Sequence, residues 1–294
     1  MYYRRKIILA LFQIFDGKID KISLQKLLFL FTQKQTKTEY DFIPYLYGCY
    51  SYSLNADLTA MVKKGLLFET KDDFTNNIST DYYKSLKDVD KKIILEVKSI
   101  YGKMNANALM KHTYLNFPYW AINSVKAKEI LSEEQLQKVN KSRPKNNETI
   151  LFTIGYEGIS LEEYLNRLVK NDVKVLIDVR KNALSMKFGF SKNQLHRYCS
   201  SLGIDYIHIP EVGIQSDQRQ ELNSQNDYDK LFALYCENNL KKTTTSQLKI
   251  LELLLKHKRI ALTCFEANIC QCHRKHLAEA IENLPNFKYK LKHI

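Results

Sequence analysis

Over residues 149–294 the apolar positions fall into two patterns that take turns along the chain. Short runs rich in β-branched and apolar residues at 149–154, 173–179, 205–209 and 260–265 predict buried strands, and 289–294 reads as a last, edge strand. Between them the apolar residues recur at helical spacing. Residues 160–169 place Leu161, Tyr164, Leu165 and Leu168 on one face, and 192–201, 228–240, 246–257 and 272–284 continue the series. Strand and helix alternating at this spacing imply right-handed crossovers, so an α/β fold is expected, with a mostly parallel sheet covered by helices on both faces.

The first part of the chain has another rhythm. Helices are expected at 4–15, at 23–33 with Ser23 as N-cap, and at 55–64, where Gly65 supplies the left-handed residue that ends a helix. Residues 41–47 and 66–70 look strand-like, and 84–101 and 106–116 form longer helices before Pro118 interrupts. Small helices with a β-hairpin fit a winged-helix-like module, and they fit other small α+β folds as well. Residues 140–148 contain no apolar side chain and cannot bury anything, so they read as a linker. A length of 294 residues exceeds what one core usually supports. The expected organisation is an interaction or nucleic-acid-binding domain at 1–139, a linker at 140–148 and an α/β domain at 149–294.

Charge adds a partner class to this picture. Lys and Arg number 45 against 32 Asp and Glu, a formal excess of +13 that splits into +8 for residues 1–150 and +5 for the rest. Such a surplus favours encounter with a polyanion: nucleic acid, DNA before RNA, rather than a membrane, since no basic amphipathic helix with a large apolar face stands out. Lys-rich composition that merely follows a genome rich in A and T is the plain alternative. An apolar share of 45% with 26% charged residues excludes a disordered or collagen-like chain. No apolar run approaches the roughly 18 residues needed to span a bilayer. Charged Asp16, Lys18 and Asp20 follow the first apolar run with no small-residue cleavage site, so a cytoplasmic protein is expected.

Six cysteines, Cys49, Cys199, Cys236, Cys264, Cys270 and Cys272, are spread too widely for a disulfide framework. The last three with His273 invite a zinc site. One residue separates Cys270 from Cys272 and no second CxxC pair closes a tetrahedron, so no metal is expected on spacing.

In open α/β sheets ligands lie beyond the carboxyl ends of the strands. The residues just past each predicted strand therefore propose a site. The first strand leads into Gly155, Tyr156, Glu157 and Gly158, and the second ends in Asp178, Val179 and Arg180, with Asn182, Ser185 and Lys187 beyond. The third leads to Glu211, Gly213 and Arg219, the fourth to Cys264, Glu266, Cys272, His273 and Arg274. Gathering so many charges in a crevice is costly unless they pair or bind something. Arg180, Lys187 and Arg274 with the Gly155 turn suit a phosphate or carboxylate. Asp178, Glu266, Glu157, His273 and Tyr156 are the candidates for acid–base or nucleophilic work, as in glycosidic or metal-assisted phosphodiester cleavage. Each also has a plain structural use: Asp178 and Arg180 share a strand face and can brace the sheet end, Glu266 can neutralise Arg274, and Cys264 and Cys272 can be small buried apolar residues. The Gly155 turn lacks the spacing of a phosphate-binding loop or dinucleotide fingerprint, and no cofactor is identified.

These motifs together resemble domain-of-unknown-function family 488 over residues 149–294. The carriers are 153–158, Asp178 to Arg180 with Ser185, Lys187, Gly189 and Phe190, and Cys264 to Glu266 with Cys272, His273 and Arg274. The resemblance implies a Rossmann-like α/β domain of uncharacterised activity. That family often has a proline near where Asn182 and Ala183 stand, which bears on the loop's rigidity. The first part resembles the antitoxin-like modules called Panacea domains, through residues 24–29, 42–48 with Tyr50 and Ser51, and 55–65, with Cys49 where such modules often carry proline. Such modules act through protein or nucleic-acid contacts, which implies a protein partner or homodimer as the alternative to nucleic acid. Tyr45, Tyr47, Tyr50 and Tyr52 are read either as hairpin packing or as exposed aromatics meeting bases beside Lys63 and Lys64.

The expected function is therefore a nucleic-acid-directed hydrolase acting on a nucleotide, sugar or modified base, with a role in defence or genome maintenance. The alternative is a non-enzymatic DNA-binding regulator or antitoxin-like protein that senses a phosphorylated ligand. A pure protein–protein adaptor is the third class.

Overall fold

A computed structural model of the protein describes residues 1–215 and 222–294. They divide into two units, Met1–Arg143 and Pro144–Ile294. The division falls inside the polar stretch 140–148, whose first residues extend a helix rather than starting a linker.

The N-terminal unit opens with α1 (Tyr3–Ile14), β1 (Lys18–Asp20) and α2 (Lys21–Thr32). Helix α2 is buried almost all round, as expected of a segment whose apolar residues leave no polar stripe. Its cap differs from the expectation: the Asp20 side chain accepts from the Ser23 N–H at 2.8 Å, so the helix starts earlier and Ser23 lies inside its first turn. A hairpin of β2 (Ile43–Tyr45) and β3 (Gly48–Tyr50) precedes α3 (Tyr52–Lys63), which Ser51 caps. Gly65 follows α3 with φ of +69°, the left-handed residue expected there. Strands β4 (Leu67–Glu69) and β5 (Asp73–Asn76) join β1 in an antiparallel sheet of order β1-β5-β4. Helices α4 (Asp88–Tyr101), α5 (Ala106–Asn116), α6 (Ala127–Ile130) and α7 (Glu133–Lys141) complete the unit. Tyr45, Tyr50 and Tyr52 pack on one another with ring centroids 5.0–5.7 Å apart, while Tyr47 stands exposed.

The C-terminal unit alternates as its sequence pattern predicts. Its elements are β6 (Ile150–Gly155), α8 (Leu161–Lys170), β7 (Val175–Asp178), α9 (Lys192–Ser200), β8 (Asp205–His208), α10 (Gln225–Asn238), α11 (Thr244–His257), β9 (Arg259–Cys264), α12 (His273–Glu282) and β10 (Lys290–His293). All five strands are parallel, in the order β10-β6-β9-β7-β8. The three inner strands are buried at every position, which is why they read as largely apolar runs rather than as an alternation. Alternation separates the faces. Ile260, Leu262 and Cys264 of β9 pack in one cluster with Leu254 of α11 and Leu277 of α12. Thr263, pointing the other way, accepts a hydrogen bond from the Tyr164 hydroxyl of α8 at 2.8 Å.

The strand order fixes where a ligand crevice forms. Chain leaving β7 passes through α9 to β8 on its outer side, and chain leaving β9 passes through α12 to β10 on the opposite side. Neighbours β9 and β7 therefore part company at their carboxyl ends, which is the switch point where open α/β sheets bind ligands. No helix among the described residues is long and apolar enough to cross a membrane.

Candidate functional site

At that switch point lies a cleft of about 340 Å³. Four chain segments line it: Tyr156 beyond β6, Arg180 to Met186 beyond β7 (Ala183 excepted), Cys264 to Glu266 at the end of β9, and His273 at the start of α12, with Ile214 closing one side.

Asp178, the last residue of β7, is wholly buried and organises the cleft from beneath. Its two oxygens accept from Arg180 Nε at 2.8 Å and Arg180 Nη2 at 2.5 Å, a bidentate pair, and the Tyr206 hydroxyl of β8 donates to Oδ2 at 2.6 Å. Arg180 Nη1 donates to the Tyr156 hydroxyl at 2.6 Å. Burial alone would lower the guanidinium's pKa, but the Asp178 carboxylate overrides it and raises the value above the ordinary arginine range. The guanidinium is thus held by Asp178 and Tyr156, with the Tyr206 hydroxyl also in hydrogen-bond contact with it, while its side chain lines the cleft. Burial also raises the Tyr156 phenol, although Arg180 opposes the shift, so this hydroxyl stays protonated near neutral pH. Its ring stacks on Phe190 at 4.2 Å between centroids and meets Phe265 edge-on at 5.3 Å.

Several of the other sequence candidates act on loops rather than on the cleft. Glu157 accepts from the Ala267 N–H at 2.9 Å, and Lys187 Nζ donates to the Tyr156 carbonyl, each tying one rim segment to another. Burial lowers the Lys187 pKa, with Glu157 and Glu163 pulling it back. Arg274 is buried and donates to the carbonyls of Glu266 and Ala267, so it shapes the turn after β9. Gly155 serves close approach: a Cβ there would overlap the Glu266 carbonyl oxygen and crowd Arg274. The N-terminus of α8 is already satisfied by the Ser160 cap, with Glu162 and Glu163 in its first turn, which makes it a poor anion seat. Glu211 lies exposed on the turn Pro210–Val212, and Arg219 falls outside the described residues.

Glu266 is the one carboxylate lining the cleft among the described residues. Its Oε2 accepts from Cys264 Sγ at 3.2 Å, and Cys264 Sγ also stands 3.7 Å from His273 Nδ1. The His273 Nε2 is 3.1 Å from the Val179 carbonyl. Buried Cys272, whose thiol burial pushes well above its ordinary pKa, completes a group in which one ligand atom each from Cys264, Cys272 and His273 lies within 4.8 Å of the others.

Sequence reasoning missed two supports, Tyr206 on Asp178 and His208 Nε2 on the Arg180 carbonyl at 2.8 Å. Both lie on β8 two residues apart, hence on one face, and His208 is in register with Asp178. An aromatic and an imidazole alternating at the end of a strand were the available signal.

Residues 160–281 match the family described as Domain of unknown function DUF488. The matched span includes Asp178, Arg180, Glu266, His273 and Arg274 and so covers the β7 and β9 ends of the cleft, while Gly155 to Glu157 precede it. No curated protein matches the chain. The DUF488 span thus holds both strands of the switch point.

Proposed function

We propose that the protein is a nucleic-acid-directed enzyme whose C-terminal cleft acts on a nucleotide, sugar or modified base, with Arg180 holding an anionic group and Glu266 acting as acid or base. The observation that carries this reading is the pairing, in one cleft at the switch point, of a guanidinium held charged by a buried carboxylate with a cleft-lining carboxylate from another strand. Asp178 in this reading is a positioning residue. It is buried beneath Arg180 and turns both oxygens toward that guanidinium and Tyr206. Tyr156 and His273 line the same cleft and support the bound group. Glu157, Lys187, Arg274 and Gly155 shape the rim.

The N-terminal unit we read as a winged-helix-like module of the Panacea type that brings the enzyme to DNA. What supports this is the order α1-β1-α2-α3-β4-β5 with β1 beside the β4–β5 hairpin, into which β2–β3 is inserted between α2 and α3. A formal charge of +13 favours the same partner. A cytoplasmic location fits that role.

One observation favours the sensor reading as the rival. Glycosidic cleavage by paired carboxyl groups needs two of them facing the bond, and among the described residues the cleft lining offers Glu266 alone. Glu266→Gln separates the two. The enzyme reading expects ligand binding within about twofold of wild type and turnover reduced at least about 100-fold on the responsive member of a DNA, RNA and nucleotide panel. Binding without turnover by the wild-type chain on every member supports the sensor.

A further inference from the structure

Cys264 has one hydrogen and faces two acceptors, Glu266 Oε2 at 3.2 Å and His273 Nδ1 at 3.7 Å. Cys272 adds a second sulfur within 4.8 Å of the Cys264 and His273 ligand atoms. Four electron-rich atoms thus meet at the end of β9 and the start of α12, in a place where the three ligand residues are almost completely buried. Small core cysteines would satisfy packing without converging on an imidazole nitrogen. We infer that Cys264, Cys272 and His273 bind one zinc ion, with the fourth position opening on the cleft beside Glu266.

Geometry supports the assignment. Zinc bonded at about 2.3 Å to sulfur and about 2.0 Å to nitrogen in a tetrahedron sets ligand atoms roughly 3.5–3.8 Å apart. The Cys264 Sγ to His273 Nδ1 separation of 3.7 Å is such an edge, and the remaining edges, all within 4.8 Å, close with small side-chain shifts. The imidazole is prepared for this. A carbonyl only accepts, so the contact with Val179 puts an N–H on Nε2 and leaves Nδ1 as the ring atom that faces Cys264. Zinc-bound histidines are oriented by this same kind of outer hydrogen bond. Thiolate and imidazole ligands select zinc over magnesium or calcium, which prefer oxygen. Charge agrees as well. Two thiolates neutralise the divalent ion.

Chain spacing hid this set. The near pair in sequence is Cys270 and Cys272, but Cys270 is exposed on the turn before α12, and the second sulfur comes from the strand end eight residues before Cys272. Three protein ligands with a position open to a cleft is the arrangement of a reactive rather than a purely structural zinc.

The test uses the full chain, reduced throughout, stripped with chelator, then given zinc or cobalt(II) and dialysed. One zinc per chain is expected by elemental mass spectrometry, and the cobalt form should show sulfur-to-metal charge-transfer absorption with tetrahedral visible bands. Cys264→Ser and His273→Ala should lower retained zinc at least about tenfold, whereas Cys270→Ser retains it fully. The wild-type cobalt spectrum decides the matter even where a variant fails to fold. Retention below about 0.1 equivalent by the reduced wild type, a cobalt spectrum without sulfur bands, or loss of zinc in Cys270→Ser each overturns the assignment. None of these readouts depends on the proposed activity.

Discussion

Each unit of the molecule carries a cavity of similar size and a nearly wholly buried cation beside it, yet the two cations live in opposite circumstances. In the C-terminal cleft of about 340 Å³ Arg180 lies on a bidentate carboxylate, and that carboxylate raises its pKa against the pull of burial. In the N-terminal unit Lys26 lines a pocket of about 330 Å³ walled by Tyr45, Tyr47, Tyr50 and Leu58. Its ammonium donates to the Cys49 carbonyl at 2.8 Å, and burial lowers its pKa. Burial sets the cost in both places, and the partner decides the protonation state. A guanidinium clamped by Asp178 stays charged where it lines the cleft. An ammonium on one carbonyl is a liability to the fold while it remains charged. This contrast is what the proposed reading rests on when it places anion binding in the C-terminal cleft rather than in the N-terminal pocket.

The sharpest way to break the contrast is Asp178→Ala, which leaves Arg180 buried without its carboxylate. A loss of about 3–5 kcal/mol is expected in the C-terminal unit, read as faster hydrogen exchange of β7 and β9 amides. The single tryptophan, Trp120, packs 5.3 Å from Phe29 in the N-terminal unit, so its fluorescence transition reads that unit separately from the β7 and β9 amides. Unchanged β7 protection in this variant would mean that the pair contributes nothing.

Gly155→Ala comes next, at about 1–3 kcal/mol, because the new methyl meets backbone rather than a yielding side chain. Hydrogen exchange of residues 264–268 should rise with it, since the Glu266 carbonyl has to move. Gly158→Ala is the control for space: nothing crowds its Cβ, and the remaining cost is that of φ at +77°.

Lys26→Met should have the smallest effect near neutral pH, within about 1.5 kcal/mol, since a lost hydrogen bond opposes the relief of a desolvated charge. Its signature is the pH dependence. With the folded pKa lowered and the unfolded one near 10.5, the unfolded chain binds more protons between the two values. Wild-type stability therefore rises with pH across that interval, as read by the Trp120 transition, and Lys26→Met removes that part of the rise. An equal rise in both chains would show that Lys26 titrates alike folded and unfolded.

How much of this was legible beforehand depends on what each element rests on. Strands β6, β7 and β9 were readable because both faces are buried and most of their residues are apolar. Strands β1 and β5 were not: Lys18, Ile19 and Asp20 pair with Thr75, Phe74 and Asp73, and one buried residue per strand leaves no pattern to see. For the N-cap of α2, Asp20 and Ser23 have equal claims by residue type, and the route of the chain out of β1 decides between them. At the site, strand ends announced which charges gather but not how they pair. The Asp178–Arg180 brace was open to a two-residue spacing argument. Arg274 turning to two carbonyls depends on the path of the 264–268 turn, which no local pattern encodes.

The central claim, that Arg180 held by Asp178 is the anion seat of the cleft, is tested most directly by calorimetric titration of a nucleoside 5′-monophosphate into wild type, Arg180→Lys and Arg274→Lys. Arg180 lines the cleft, whereas Arg274 does not line it and donates to the Glu266 and Ala267 carbonyls. Arg180→Lys should therefore weaken binding at least about tenfold and Arg274→Lys by less than about threefold. Equal affinity of wild type and Arg180→Lys, or no binding by the wild-type chain, would contradict the account.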